Sequence, residues 1–356
     1  MNNAYTKILL SAALLLGGCA EKEPIADATM HEIAVGPAIA SNESPNEATS
    51  RHEAPNDASR ATPVSSLAGL NGLEISVKRN GTGRDYFTDM ATPSGDVFSF
   101  STPHYWLPGA PLDFYAYTQS PHISNLNIAN GAVNFSYSGS VDGVTTDGAD
   151  ILTGMAFGLE YADTQGGVVP IKLNHALSLI EFAVAYEDDA EGNRTSKIGN
   201  DIIITGVALH NLSREGSCMA SMTLCEWTPG NPTEWIEADF TRQAAADEQV
   251  DFKAADGTPM CGLRVGRDIF AGDLINTADR SKALIVVPGQ TLSEMRVSFV
   301  EGSPAIYSKS FPIEPIRLQP GKYYRFYLSI KSNNVSVWST KVTDWIEADG
   351  GEYILT

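Results

Sequence analysis

From Leu67 onward, short apolar stretches alternate with polar residues at a period of two and are separated by breaks rich in glycine and proline. Leu73-Glu74-Ile75-Ser76-Val77, Leu112-Asp113-Phe114-Tyr115-Ala116-Tyr117 and Val133-Asn134-Phe135-Ser136-Tyr137 each gather apolar residues on one face of an extended chain, the pattern of a half-buried strand. Ile180 to Tyr186, Ile202-Ile203-Ile204, Ala283 to Val287, Val297-Ser298-Phe299 and Tyr323 to Ile330 continue the series. Pro108-Gly109, Pro288-Gly289 and Pro320-Gly321 punctuate it. Proline presets φ at the second position of a turn and glycine accepts positive φ at the third, which together specify a type II turn. Helical period is scarce, and His175 to Leu179 is the best candidate for a short helical or irregular connection. The pattern predicts an all-β chain of two antiparallel sandwiches in tandem. The hydrophilic stretch Glu187 to Asn200 is the expected boundary, giving units at 61–187 and 188–356; a long hairpin inside one domain is the alternative reading.

The first 60 residues follow a different pattern. Lys7 precedes an apolar run, Ile8 to Leu16, of signal-peptide length and too short to cross a bilayer as a helix. It ends in Leu16-Gly17-Gly18-Cys19, which resembles the lipobox of bacterial lipoproteins. The resemblance implies removal of residues 1–18 and a diacylglycerol on the Cys19 thiol, so that the protein is anchored to a membrane rather than spanning it. An ordinary secretory signal beside a buried cysteine is the alternative. Residues 19–60 lack Phe, Trp and Tyr and are rich in Ala, Glu, Asn, Ser and Pro, a composition that reads as a tether. Within it, Ile33, Val35 and Ile39 fall on one side of a period of two, with Pro37 between them, and Ala34, Gly36, Ala38 and Ala40 on the other. This is a lone strand with one apolar face and no partner in the leader. Arg51 and Arg60, the latter followed by Ala61, lie in exposed, Pro-containing sequence that a protease can reach.

Charge and reactive chemistry narrow the function. Lys and Arg number 24 against 43 Asp and Glu, a formal charge of −19, and no basic face is available to exchange counterions on a phosphate backbone. Nucleic acid is therefore not an expected partner. With Cys19 assigned to lipid, Cys218, Cys225 and Cys261 remain. Cys218 and Cys225 could face each other across a hairpin, bridged or reduced, and no spacing suggests zinc. There is no His-Glu-x-x-His and no Gly-x-Ser-x-Gly, and Gly81-Thr82-Gly83 lacks the third glycine of a dinucleotide site. Asp142, Asp147 and Asp150 could offer oxygens to calcium, but not at EF-hand spacing. His104 and His122 have no Ser or Cys partner in view. Trp106, Tyr105 and Tyr115 are the best foothold for a glycan-binding cleft, with burial in the core as the simpler reading. No enzyme, metal site or cofactor is expected.

Lys172-Leu173-Asn174-His175-Ala176-Leu177-Ser178, Ile204-Thr205-Gly206-Val207-Ala208-Leu209 and Leu318-Gln319-Pro320-Gly321-Lys322-Tyr323-Tyr324, taken with the lipobox and the arginines, resemble the fimbrillin family of Bacteroidales, the Mfa-like and FimA-like pilins of type V fimbriae. The resemblance implies transthyretin-like β-sandwich domains and an outer-membrane lipoprotein precursor at the cell surface. It also implies cleavage after Arg60, or alternatively Arg51, by an arginine-specific protease, and assembly with other fimbrial subunits by strand exchange in adhesion and biofilm formation. Ile33, Val35 and Ile39 would then fill a groove of the first sandwich until cleavage. A neighbour's C-terminal segment would replace them, and Val335, Val337, Trp345, Tyr353, Ile354 and Leu355 are the expected donor positions. A tail folded back on its own second domain is the alternative for those residues. A monomeric lipid-anchored adhesin with a host or bacterial surface ligand, or a glycan-binding protein, is the alternative for the whole.

Overall fold

The computed structural model describes residues 30–39, 70–141, 144–145, 149–232, 235–275, 283–302, 305–331, 334–345 and 354–355. In chain order the main strands of the N-terminal half are β1 (Ala34–Ile39), β2 (Leu73–Arg79), β3 (Asp85–Ser94), β4 (Val97–Phe100), β5 (Leu112–Tyr117), β6 (Ile123–Ala129), β7 (Ala132–Ser138), β8 (Leu152–Leu159) and β9 (Val168–His175). The C-terminal half supplies β10 (Ser178–Val184), β11 (Ile202–His210), β12 (Glu215–Ala220), β13 (Cys225–Pro229), β14 (Trp235–Asp239) and β15 (Leu284–Val286). It continues with β16 (Thr291–Glu301), β17 (Ile306–Arg317), β18 (Lys322–Lys331), β19 (Asn334–Asp344) and β20 (Ile354–Leu355). Among the described residues the helical content is a single 3-10 turn, Tyr161–Asp163, and no helix is long and apolar enough to cross a membrane. The chain is all-β, as its alternation predicts.

Seven strands close the N-terminal sheet on itself in the order β1-β9-β8-β5-β2-β3-β4. Its interior is made by the apolar members of each alternating pair: Leu73, Ile75 and Val77 of β2, Leu112 and Phe114 of β5, and Val169, Ile171 and Leu173 of β9. The sequence predicts an open sandwich here; the observed sheet curls until β1 joins its two edges. The C-terminal half is a sandwich. One sheet runs β15-β10-β18-β19-β20 and the other β14-β11-β16-β17. Phe182 of β10, Phe299 of β16 and Phe326, Leu328 and Ile330 of β18 fill the space between them.

A further sheet joins the halves. Its order is β13-β12-β7-β6, so two strands from each half share one ladder, with β12 and β7 in register from Glu215↔Ser138 to Ala220↔Val133. Beneath it Tyr115, Phe135, Tyr137, Leu177, Cys218 and Trp345 belong to a cluster of buried side chains drawn from both halves.

Three details differ from the sequence reading. Two pairings are parallel, β1 with β9 and β10 with β18. The segment Ser178–Val184 pairs with β18 rather than with N-terminal strands, so the chain changes sheets at Ala176-Leu177, an irregular connection within the stretch singled out for one. The Glu187 to Asn193 region is a hairpin between Tyr186–Asp188 and Arg194–Ser196, closed by Asp189, whose Oδ1 accepts from Asn193 N at 2.7 Å and Glu191 N at 3.0 Å. A hydrophilic stretch marks solvent exposure, and a hairpin tip is as exposed as a linker. The Pro-Gly turns are as expected, with φ of +64° at Gly109, +82° at Gly289 and +66° at Gly321.

Candidate functional site

The slot that receives β1 has β9 as one wall and β4 as the other. Residues Ala34 to Ile39 run parallel to Val168 to Leu173, and Val35 meets Phe98 in antiparallel pairing. On the β9 side Ala34 N donates to Gly167 O at 3.3 Å; on the other, Ile33 N donates to His104 O at 2.8 Å and Trp106 N to His31 O at 2.9 Å. Backbone donors therefore alternate between the walls. Pro37, which has no N–H, falls on the side of β4 beyond its first residue, Val97, so the missing donor interrupts no ladder there.

Of the odd-numbered face, Ile33, Val35 and Pro37 point inward. Ile33 is 1% exposed and Val35 0%, Pro37 is buried as well, and the first two lie in one cluster with Phe98, Trp106, Ile171 and Leu173. Burying aliphatic side chains of this size is worth about 1.5–3 kcal/mol each. Close approach of the backbones depends on Gly167, at φ +89°, where a Cβ would stand 2.4 Å from Glu32 O. The His31 ring stacks on Tyr161 with centroids 3.6 Å apart. Trp106 Nε1 donates to Gly167 O at 3.3 Å.

His104, whose carbonyl receives Ile33 N, is itself fixed. Its Nε2 donates to Asp89 Oδ2 at 2.9 Å and its ring stacks on Phe87 at 3.8 Å. The hydrogen bond from His104 holds the Asp89 carboxyl below its usual value. A depressed folded value means stability that is present above the unfolded carboxylate range and is lost as pH falls through the folded value. Asp89→Asn is therefore expected to flatten the acid limb of N-terminal unfolding, followed by tryptophan fluorescence roughly between pH 5 and pH 2; an unchanged limb would assign the acid sensitivity elsewhere.

The expected donor positions lie in the second half. Val335 is buried and Val337 packs partly buried against the same core, both within β19, which pairs with β18 from Lys331↔Asn334 to Lys322↔Asp344. Trp345 is 5% exposed. Its N donates to Gly321 O at 2.7 Å, and its ring stacks at 4.2 Å on His175, whose Nδ1 donates to Asp150 Oδ2 at 2.9 Å. Ile354 and Leu355 pair with Lys341 and Thr340 of β19. Cys19, Arg51, Arg60, Ala61 and Tyr353 lie outside the described residues.

The remaining candidates do not converge. Trp106 is in the barrel interior and Tyr115 in the cluster shared by the halves, so the two do not line one cleft with Tyr105, which pairs with Glu32, two residues before β1. His122 Nδ1 donates to Ser138 O at 2.7 Å. Asp150 is turned toward His175; Asp142 and Asp147, the other two candidate calcium ligands, lie outside the described residues. The slot walls themselves escaped sequence reading. Val169, Ile171 and Leu173 alternate, and that signal could have found β9; β4 has four residues, too short to stand out.

A family model described as fimbrillin-like matches residues 71–345. Among solved structures, a candidate cell adhesion protein from Bacteroides uniformis is 15% identical, with 88% of this chain and 99% of that one covered and a TM-score of 0.48. A candidate cell adhesion protein from Parabacteroides distasonis is 12% identical, covering 90% and 98%, with a TM-score of 0.47. The tip fimbrial protein Mfa3 from Porphyromonas gingivalis, with a C-terminal truncation, is 10% identical, covering 78% and 94%, with a TM-score of 0.38. No curated protein matches the chain.

Proposed function

The chain belongs to the fimbrillin-like family, whose members are fimbrial and cell-adhesion proteins of the cell surface rather than enzymes, and on that premise we propose that β1 is a removable plug for a subunit-docking slot. The observation that carries the reading is the position of β1: a strand from the leader seals an otherwise open sheet between β4 and β9, burying Ile33 and Val35. In this reading Cys19 carries the lipid that holds the precursor at the outer membrane. An arginine-specific protease cuts between Arg60 and Ala61, or after Arg51. Residues 19–60 then leave with Ile33, Val35 and Ile39, and both walls of the slot present unpaired backbone. An extended segment of another subunit refills it by strand addition. Because one subunit's slot takes a different surface of the next, the assembly is head-to-tail and grows as a filament.

On the donor side, Val335 and Val337 are built into the subunit's own sandwich and Trp345 into the cluster shared by the halves, so donating them requires β19 to leave β18 and the Trp345 ring to leave His175. Ile354 and Leu355 are the described donor positions that cost least to release, since among the described residues β20 pairs with β19 at Thr340 and Lys341 alone; Tyr353 precedes them. The extent of the β18–β19 ladder favours a second reading, a lipid-anchored monomeric adhesin that recognises a host or bacterial surface ligand and keeps its tail.

The test is to cut the full precursor with trypsin and follow leader release and particle size together. Ladders that form only after the leader has dissociated, and that vanish when residues 346–356 are deleted, are expected. A core that loses its leader and stays monomeric would overturn filament assembly in favour of the adhesin.

A further inference from the structure

The sheet shared by the two halves contains a pair of thiols for which the plug and slot have no use. On the β12–β13 hairpin, Cys218 stands opposite Trp227 and Cys225 opposite Ala220, so the cysteines are diagonal neighbours on the same face. The hairpin end is held tightly: Ser221 N donates to Leu224 O at 2.8 Å, and Leu224 N to Ser221 Oγ at 3.2 Å. That turn fixes the register that places the two thiols on one face. Cys218 is 3% exposed and sits in the shared core, whereas Cys225 is half-buried at its edge. Thr153 Oγ1 lies 4.0 Å from the Cys225 sulfur. The third described cysteine, Cys261, is buried elsewhere, with its Sγ donating to Gln249 O at 3.3 Å.

We propose that Cys218 and Cys225 are a redox-active dithiol, in which Cys225 attacks an external disulfide and Cys218 resolves the mixed disulfide to an intramolecular bridge. The chemistry needs one reactant, a small-molecule or protein disulfide, as expected where exported proteins meet an oxidising surface. In the first step the Cys225 thiolate bonds to one sulfur of the external disulfide, and the other sulfur leaves as a thiolate. In the second, Cys218 loses its proton, its sulfur bonds to Cys225, and the first sulfur leaves as a thiol. The two protein sulfurs are each oxidised by one electron and the external disulfide is reduced to two thiols.

The division of roles follows from the surroundings. The neighbouring Cys218 thiol lowers the Cys225 thiol, opposed by burial and aided by Thr153, while the same neighbour, followed by burial, raises Cys218. Cys225 is the half-buried residue of the pair and Cys218 the buried one, which gives an external disulfide its access at Cys225. Diagonal placement has a second consequence. Bridge geometry needs Cβ atoms nearer than diagonal cross-strand neighbours normally stand, so closure must twist the hairpin, and a bridge made under strain is readily reduced again.

The bridge would act on the junction between the halves. β13 is an outer strand of the shared sheet, and its Trp227 donates from Nε1 to Ala176 O at 2.7 Å, the point where the chain passes from one half to the other. Trp227 also meets Phe135 edge-on at 5.7 Å. The clasp is already made with both thiols reduced, and oxidation would add a covalent tie to the strand that makes it.

The experiment uses the full-length protein, reduced, equilibrated with excess oxidised glutathione, quenched in acid, alkylated and mapped by peptide mass. The expected result is a Cys218–Cys225 link in the parent. In Cys218→Ser glutathione should stay on Cys225, and in Cys225→Ser Cys218 should remain alkylatable, with initial attack at Cys225 on the order of tenfold or more faster than at Cys261. Two outcomes overturn the proposal: both thiols of the parent alkylating fully when it is unfolded after equilibration and quench, or glutathione trapped on Cys218 in place of Cys225.

Discussion

Replacing Ile33 and Val35 together by alanine is expected to lower the stability of the closed N-terminal sheet by about 3–6 kcal/mol, the sum of two large-to-small changes at fully buried positions. Both side chains are at or below 1% exposure and face Phe98, Ile171 and other members of one core cluster, so there is little room for the cavity to collapse. The loss has a ceiling. It cannot exceed the free energy with which β1 docks, because beyond that point the strand leaves and the other six strands are unaffected by what it carries. Two measurements separate these regimes. Denaturant unfolding followed by fluorescence reports the total loss, and hydrogen exchange at the Ile33 and Ala34 amides, which donate to His104 O and Gly167 O, reports undocking alone. Rapid exchange at both amides with the remaining strands still protected is the expected pattern. Unchanged exchange would mean that docking does not rest on these two side chains, and the plug assignment would lose its main support.

Trp345→Ala should cost about 3–5 kcal/mol, as for other buried aromatics, whereas Trp338→Ala should stay within about 1 kcal/mol. The two tryptophans are close in sequence and opposite in environment. Trp345 is 5% exposed, against 57% for Trp338. Removing the Trp345 ring also uncovers the buried pair His175–Asp150, and hydrating a polar pair that the fold had sealed adds to the loss. Trp338 gives up mainly its contact with the Lys197 ammonium, 2.9 Å above its ring, an interaction worth roughly 0.5–1 kcal/mol at an exposed site. Thermal melting of the two variants side by side decides the matter. Equal shifts would place Trp345 outside the core and leave residues 335–345 much freer to be donated.

Strands with clean alternation were legible in the sequence: Leu73 to Val77, Val133 to Phe135 and Tyr323 to Ile330 all lie in strands, because one buried face imposes a period of two on each. β10 was legible for another reason. Every one of its residues from Ser178 to Val184 is buried, so it reads as a near-continuous apolar run. Strands with little to bury were not legible. β6 is exposed over Ser124–Asn127, with Asn125 at φ +53° and a shift of register between Ser124 and Asn127. β17 carries Pro312 and Pro315, which suit an outer strand and argue against a central one. Of the candidate site, the apolar face of β1 could be read from Ile33 and Val35, but its partners could not. Parallel pairing to β9 joins segments more than a hundred residues apart, and only the closure of the sheet dictates it. The fate of Val335 and Val337 was undecided for the same reason: alternation says that a strand is present and is silent on whose sheet it completes.

The sheet β13-β12-β7-β6 bears on how a subunit carries load. Two globules joined by a single peptide crossing behave as beads on a string, bending at the link whenever the ends are pulled out of line. Here the halves are also laced by the main-chain ladder from Glu215↔Ser138 to Ala220↔Val133, so bending at the Ala176-Leu177 crossing must shear several backbone hydrogen bonds at once rather than rotate about one bond. In a fibre tugged by flowing liquid, such a subunit would pass tension from one end to the other as a stiff rod.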